Sequence, residues 1–295
     1  MQSTLTRHRL TLAARPDVAR AVVGRDPALA PAFLGKVHLL CARAHEWAAH
    51  EAVALAGGAP LDSQRRDELA RAARGEAINE AVLRMLLAWP VFSGEQPDFA
   101  QASRWVAISR SVGTDAECAR RAFVEQVVFG RPLYQWTSDG VASWISEGAT
   151  GTSRATRAVA RLEVEAPITV SGLEVSAFAR HGAHSAIACL PALAARLAAR
   201  ANDLALMLDG GADYMASGHR VWTARGWLTH SCAIENGLIR AYAVNSPTEI
   251  HFGAEGAGLR AFESAVSLKA IDRARMMAMA VGAFDPCVEH RIEEA

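Results

Sequence analysis

The stretch Ala283-Phe284-Asp285-Pro286-Cys287-Val288-Glu289-His290-Arg291-Ile292-Glu293-Glu294-Ala295 closes the chain. A cysteine behind an Asp-Pro, with a histidine three residues on, sets a soft thiolate and an imidazole within reach of one metal ion. Such donors suit zinc, iron, nickel or copper better than magnesium or calcium. Two donors do not close a site, so others must come from elsewhere. The candidate partner is His38-Leu39-Leu40-Cys41-Ala42-Arg43-Ala44-His45. No Gly or Pro stands between Gly35 and Gly57, which predicts a helix from about Lys36 to Ala56. On it His38, Cys41 and His45 would share one face. A buried thiol with two ordinary histidines fits the same residues. His45 and His50 are five apart and point about 140° from each other on a helix, which disfavours a zinc-protease motif.

Outward from these two stretches, the 295 residues are 51% hydrophobic and 21% charged, enough to bury a sizeable core. The net charge of zero argues against a nucleic-acid or acidic-membrane partner. The opening residues lack an apolar signal core, and no run is long enough to span a membrane. Five cysteines, odd in number and widely spread, do not form a disulfide framework, so a reducing cytoplasm is expected. Cys118, Cys189 and Cys232 are expected to be structural.

Alternation over Thr4–Leu12 predicts a short strand. Helices are predicted over Ser63–Arg74, Ala77–Ala88, Asp98–Val112 and Asp115–Val128. The Gly/Ser/Thr-rich 140–154 stretch reads as a loop and a candidate internal boundary. Val164–Gly172 reads as a strand and Ala186–Leu208 as an Ala/Leu-rich helix closed by Gly210-Gly211. Trp227–Ser246 predicts a hairpin through Asn236-Gly237, both of which accept positive φ. A last helix over Glu263–Val281 feeds the Asp-Pro-Cys tail. Phosphate-cradling and nucleophile-elbow motifs are missing.

Four segments, in order, carry a resemblance. They are Gly24-Arg25-Asp26-Pro27 with Ala30-Pro31-Ala32; Cys41-x-x-x-His45; Ala224-Arg225-Gly226-Trp227-Leu228-Thr229-His230 with the hairpin turn and Ser246-Pro247-Thr248; and Asp285-Pro286-Cys287. Together they resemble the large subunit of nickel–iron hydrogenases. That family binds one nickel–iron centre between an N-terminal Cys-x-x-Cys-x-x-x-His helix and a C-terminal Asp-Pro-Cys-x-x-Cys-x-x-His tail. Here His38 stands at the first cysteine, His290 at the fourth, Glu293 at the terminal histidine and Ala224 at the proline before the arginine. The family's Arg-Gly-x-Glu segment is not found. This degenerate pattern, with the stretch from Glu76 to Leu86-Leu87-Ala88-Trp89-Pro90, resembles the HupK/HoxV-type accessory proteins of hydrogenase maturation.

The resemblance implies a mainly α fold with a small β portion (α+β), a trimmed large subunit forming a single domain over 1–295. It implies Cys41 and Cys287 as metal ligands, with His38 and His290 as further candidates. His45 would hydrogen-bond a cysteine sulfur. Arg225 would sit over cyanide ligands, with Pro247 and Thr248 on the same wall and Asp285 orienting Arg225 or the tail. The cargo would be iron bearing cyanide and carbonyl; nickel is left open. Implied partners are Hyp-type maturation chaperones and the apo hydrogenase large subunit. The implied role is a non-catalytic assembly scaffold. Two alternatives stay open: a hydrogenase-like enzyme with a rebuilt Cys/His centre, and a metal-free structural partner of maturation factors.

Overall fold

Strand β1 (His8–Leu12) finds its partner at the far end of the chain. In the computed structural model, which describes residues 8–129 and 159–294 apart from 15, 93, 112, 161–162, 164, 182–186, 188–189, 211 and 269, it pairs antiparallel with the last strand, His290–Glu294. Leu12 lies opposite His290, and Ala13 N donates to Glu289 O at 2.8 Å. The predicted opening strand is present over His8–Leu12, and its residues 4–7 lie outside the described residues.

The helices follow as α1 (Val18–Val22), α2 (Ala30–Val37), α3 (Ala42–Leu55), α4 (Ser63–Leu87), α5 (Trp89–Phe92), α6 (Phe99–Ser109) and α7 (Thr114–Phe123). Next come α8 (Ala177–His181) and α9 (Ala192–Asp209). Strands β2 (Ala216–Ser217), β3 (Arg220–Thr223), β4 (Gly226–Glu235) and β5 (Leu238–Asn245) form an antiparallel meander. Helices α10 (Pro247–Phe252), α11 (Ala257–Val266) and α12 (Ala270–Phe284) then lead into β6 (His290–Glu294). The fold is mainly α with a small β portion, as the sequence predicts. Among the described residues no helix is long and apolar enough to cross a membrane.

Several local expectations need correction. The predicted helix from Lys36 is two helices, α2 and α3, with His38 extended (φ −93°, ψ 114°) and Cys41 left-handed (φ 58°, ψ 32°) between them. His38, Cys41 and His45 therefore do not share one helix face. The two helices predicted around Gly75 are one, α4, capped by Asp62, whose carboxylate accepts from Arg65 N at 2.8 Å. Gly75 is exposed, and a single helical glycine costs only about 1 kcal/mol, less than the packing of Ala70, Ala73, Ala77 and Ala81 contributes. Helix α7 starts behind Gly113, which leaves Asp115 in its first turn. Helix α9 starts behind Pro191, not at Ala186. Over 165–172 no strand forms; Thr169 N donates to the Ser264 hydroxyl, and only Leu173 makes an isolated bridge, to Gly256. The final helix is divided into α11 and α12. The 140–154 loop and Cys189 lie outside the described residues.

The core forms around α4, α9 and α12. Helix α9 is buried on every side, its alanines and leucines serving as the common filling. Its first N–H groups, at Leu193 and Ala194, donate to the buried Glu163 carboxylate at 2.8–3.0 Å. The hairpin is as predicted, with Asn236 and Gly237 at φ 51° and 77°. A smaller cluster of Val22, Ala30, Leu34, Ala49 and Ile239 seats α1 and α2 against it.

Candidate metal centre

The break between α2 and α3 positions the first cysteine. Cys41 is the N-cap of α3 without a side-chain cap bond; its carbonyl accepts from His45 N at 2.9 Å. A left-handed non-glycine residue costs about 1–3 kcal/mol, so surrounding contacts must hold it. One is Glu76 of α4, which accepts from Arg43 N at 2.8 Å and so satisfies an N-terminal group of α3. Burial pushes the Glu76 carboxyl up to about 7, against the lowering effect of bonds from Arg43 and Ala44 N–H.

Four residues further along the same helix face, Glu80 reaches the sulfur. Cys41 Sγ lies 3.7 Å from Glu80 Oε2 and 3.5 Å from Arg225 Nη1, and Arg225 Nη1 also bonds Glu80 Oε2. Burial, then Glu80, push the Cys41 thiol well above its usual range, and Arg225 only partly opposes them.

Arg225 comes from the tight β3–β4 turn. Thr223 Oγ1 donates to Gly226 O at 2.9 Å and accepts from Arg225 N at 3.2 Å. Gly226 has φ 134°, and a Cβ there would lie 2.1 Å from the Val175 carbonyl oxygen, so the turn needs glycine. The arginine side chain runs inward. Its Nε donates to Asp285 O at 2.8 Å and lies 3.5 Å from Asp285 Oδ2.

Asp285 terminates α12 in a left-handed conformation (φ 50°), and Pro286 prevents the helix from continuing. Its carboxylate also meets Arg84 Nε at 3.0 Å and Arg200 Nη2 at 3.2 Å. Burial pushes Asp285 up, but Arg225, Arg200 and Arg84 outweigh it and hold the carboxyl below the usual range. Three guanidinium groups thus face two carboxylates, Asp285 and Glu80, with the positive excess around Asp285, while at Cys41 the Glu80 carboxylate outweighs Arg225. Asp285 meets Arg225 through both its carbonyl and its carboxylate.

Cys287 follows one residue beyond Pro286. Its N–H donates to Thr248 Oγ1 at 3.1 Å, and its sulfur lies 2.9 Å from the same hydroxyl. Thr248 is held by α10, which opens with a capping box between Ser246 and Glu249 and carries Pro247 at its first position. Cys41, Cys287, Arg225, Pro247 and His38 line one cavity of about 1060 Å3. Two cysteines 246 residues apart in the sequence therefore line one cavity, and the β1–β6 pair joins the two ends of the described chain.

The histidines divide. The ring of His38 stacks on His45 at 3.4 Å between centroids, beside Cys41. His45 Nδ1 lies 3.0 Å from His230 Nε2, and His230 Nδ1 lies 2.8 Å from the Tyr242 hydroxyl. Burial, then His38, pull His230 down to about 3, so it stays neutral. The structure does not bring His290 to this cluster: it is exposed on β6. Cys118 is exposed rather than buried, and Cys232 is half-buried. Sequence reasoning missed Glu80, Arg84 and Arg200. The i, i+4, i+8 spacing of Glu76, Glu80 and Arg84 on one long helix was the available signal.

No protein-family model and no curated protein matches the sequence. Solved structures do match. The NAD+-reducing [NiFe]-hydrogenase in its H2-reduced state aligns with a TM-score of 0.54 and 14% identity, covering 96% of each chain. A [NiFeSe] hydrogenase variant from Desulfovibrio vulgaris Hildenborough gives 0.58 and 12%, over 93% of this chain and 91% of that one. The reduced, active Ni-Fe-Se hydrogenase from Desulfomicrobium baculatum gives 0.54 and 12%, over 96% and 97%. The chain has the fold of hydrogenase large subunits.

Proposed function

We propose that this protein is a maturation scaffold of the HupK/HoxV type, which holds an iron fragment bearing cyanide and carbonyl on its way to an apo hydrogenase large subunit. The observation that carries the reading is the meeting of Cys41 and Cys287 on one cavity, with Arg225 beside Cys41. Among the described residues no three His, Cys, Asp or Glu side chains are arranged to hold a bare metal ion. Two sulfurs suit a cargo that arrives with most of its coordination already filled, because soft thiolates complete a low-spin iron. The positive excess around Asp285 suits anionic cyanide, to which Arg225 can donate from a fixed position. His38 is at hand as a further donor. Hyp-type chaperones would deliver the fragment, in the cytoplasm, and the scaffold itself would not turn over hydrogen.

Anaerobic purification from cells with the full maturation set tests this. Infrared bands of iron-bound cyanide and carbonyl are expected, and Cys41→Ala or Cys287→Ala should abolish them. Bands unchanged in both variants would place the iron elsewhere. Hydrogen-dependent dye reduction by the wild-type protein would overturn the scaffold reading in favour of an enzyme.

A further inference from the structure

One wall of the cavity is apolar. Phe33 and Val37 of α2, with Leu39 and Leu40 of the connecting loop, line it. All four are exposed, Leu39 at 95%. Single exposed leucines are ordinary, but four large apolar side chains on one rim of one cavity mark an interaction surface. The local backbone produces this: the extended His38 and the left-handed Cys41 turn Leu39 out of the helix that would have packed it.

Among the described lining residues the exposed charges share a sign. Asp17, Glu249 and Glu289 line the cavity as exposed carboxylates. Histidines aside, the one cation among its described lining residues is Arg225, which is buried and paired with Glu80 and Asp285.

We propose that this mouth docks another protein through a segment presenting apolar side chains flanked by lysines or arginines. The apolar wall supplies buried area and the acidic rim selects the sign of the partner's charge. A second copy of this chain fits worse. A two-fold contact would set the three carboxylates against their own copies, and like charges across an interface cost affinity. The docking does not depend on metal, so it stands or falls separately from the cargo reading.

The test uses the full chain and two fluorescein-labelled twelve-residue peptides, one alternating leucine with lysine and one alternating leucine with glutamate. By fluorescence anisotropy the lysine peptide is expected to bind at least about tenfold more tightly, as charge complementarity requires. Leu39→Glu with Leu40→Glu should weaken it by about tenfold or more, since the apolar contact is lost. Asp17→Lys with Glu289→Lys should reverse the preference between the peptides. These side chains are exposed, so unchanged circular dichroism will confirm that each variant folds. Equal binding of the two peptides, or lysine-peptide binding indifferent to the leucine variant, overturns the proposal. So does a wild-type dimer in sedimentation that Leu39→Glu converts to monomer, because the face then belongs to a second copy.

Discussion

Asp203 and Asp285 are both nearly fully buried, and the protein satisfies them in opposite ways. Asp203 receives the Trp222 Nε1–H at 2.8 Å and the Tyr214 hydroxyl at 2.5 Å, with His181 Nε2 at 3.1 Å. Its surroundings are rings, with Arg180 stacked over Tyr214, Trp222 and Trp227. Asp285 instead receives three guanidinium groups and shares one with Glu80. The first arrangement joins α8, α9 and β3 through hydrogen bonds to one carboxylate and is complete in itself. The second gathers three arginines on one carboxylate at the edge of a cavity lined by two cysteines. A buried carboxylate met by ring and hydroxyl donors ties elements together, whereas one met by three arginines concentrates buried charge.

The largest expected effect breaks the second arrangement. Asp285→Asn leaves three buried or half-buried guanidinium groups under-compensated and should cost about 3–5 kcal/mol in urea unfolding. Asp203→Asn keeps an acceptor for Tyr214 and His181 but turns its NH2 toward the Trp222 Nε1–H, and should cost about 1–3 kcal/mol. A larger loss at Asp203 than at Asp285 would sink the contrast.

Acid separates the two kinds of burial. Asp285 has a folded pKa below its ordinary 3.8, so its contribution is present above that value and lost only as the pH falls further. His230 and His251 are pulled by burial to about 3 from 6.5. Between those values the unfolded chain binds protons that the folded chain refuses, so their stability is present above pH 6.5 and drains away toward pH 3. His230→Gln should therefore flatten the fall in urea midpoint between about pH 6 and 4, as proton linkage requires, and Asp285→Asn should not. Equal flattening by both would merge what the geometry separates.

Glu76 acts in the other direction. Raised to about 7, it keeps its proton in the folded state while the unfolded chain releases it from 4.5 upward, so stability declines as the pH rises through that window. Glu76→Gln should remove that decline while leaving an acceptor for Arg43 N. A decline that persists in the variant would assign it to another group. The smallest expected effect is on the Asp203 side. Tyr214→Phe deletes one of three donors and should cost about 1 kcal/mol by thermal or urea unfolding, because two remain. A loss approaching that of Asp285→Asn would show that Asp203 depends on one partner.

Much of the fold was legible wherever the signal is local. The Asn236-Gly237 hairpin, the cap at Asp62 and the Asp-Pro stop after α12 each depend on a few neighbouring residues, and each is where it was expected. The misreadings arose where tertiary packing overrode local preference. Gly75 does not break α4, because its alanines are buried on both sides of the glycine. Nothing from Lys36 to Ala56 forbids a helix, yet the chain breaks at His38–Cys41, where a residue with a side chain adopts the left-handed conformation.

The sequence by itself determined the Asn236-Gly237 hairpin, the Asp62 cap and the mainly helical class, since spacing and backbone chemistry are written in neighbouring residues. Only the tertiary structure decided that Cys41 and Cys287 face one cavity, that Glu80, Arg84 and Arg200 join Arg225 and Asp285, and that His290 stays outside. The contacts among the arginines and carboxylates link positions from 60 to 201 residues apart. Their partners are chosen by which helix faces pack together, which no short-range pattern encodes.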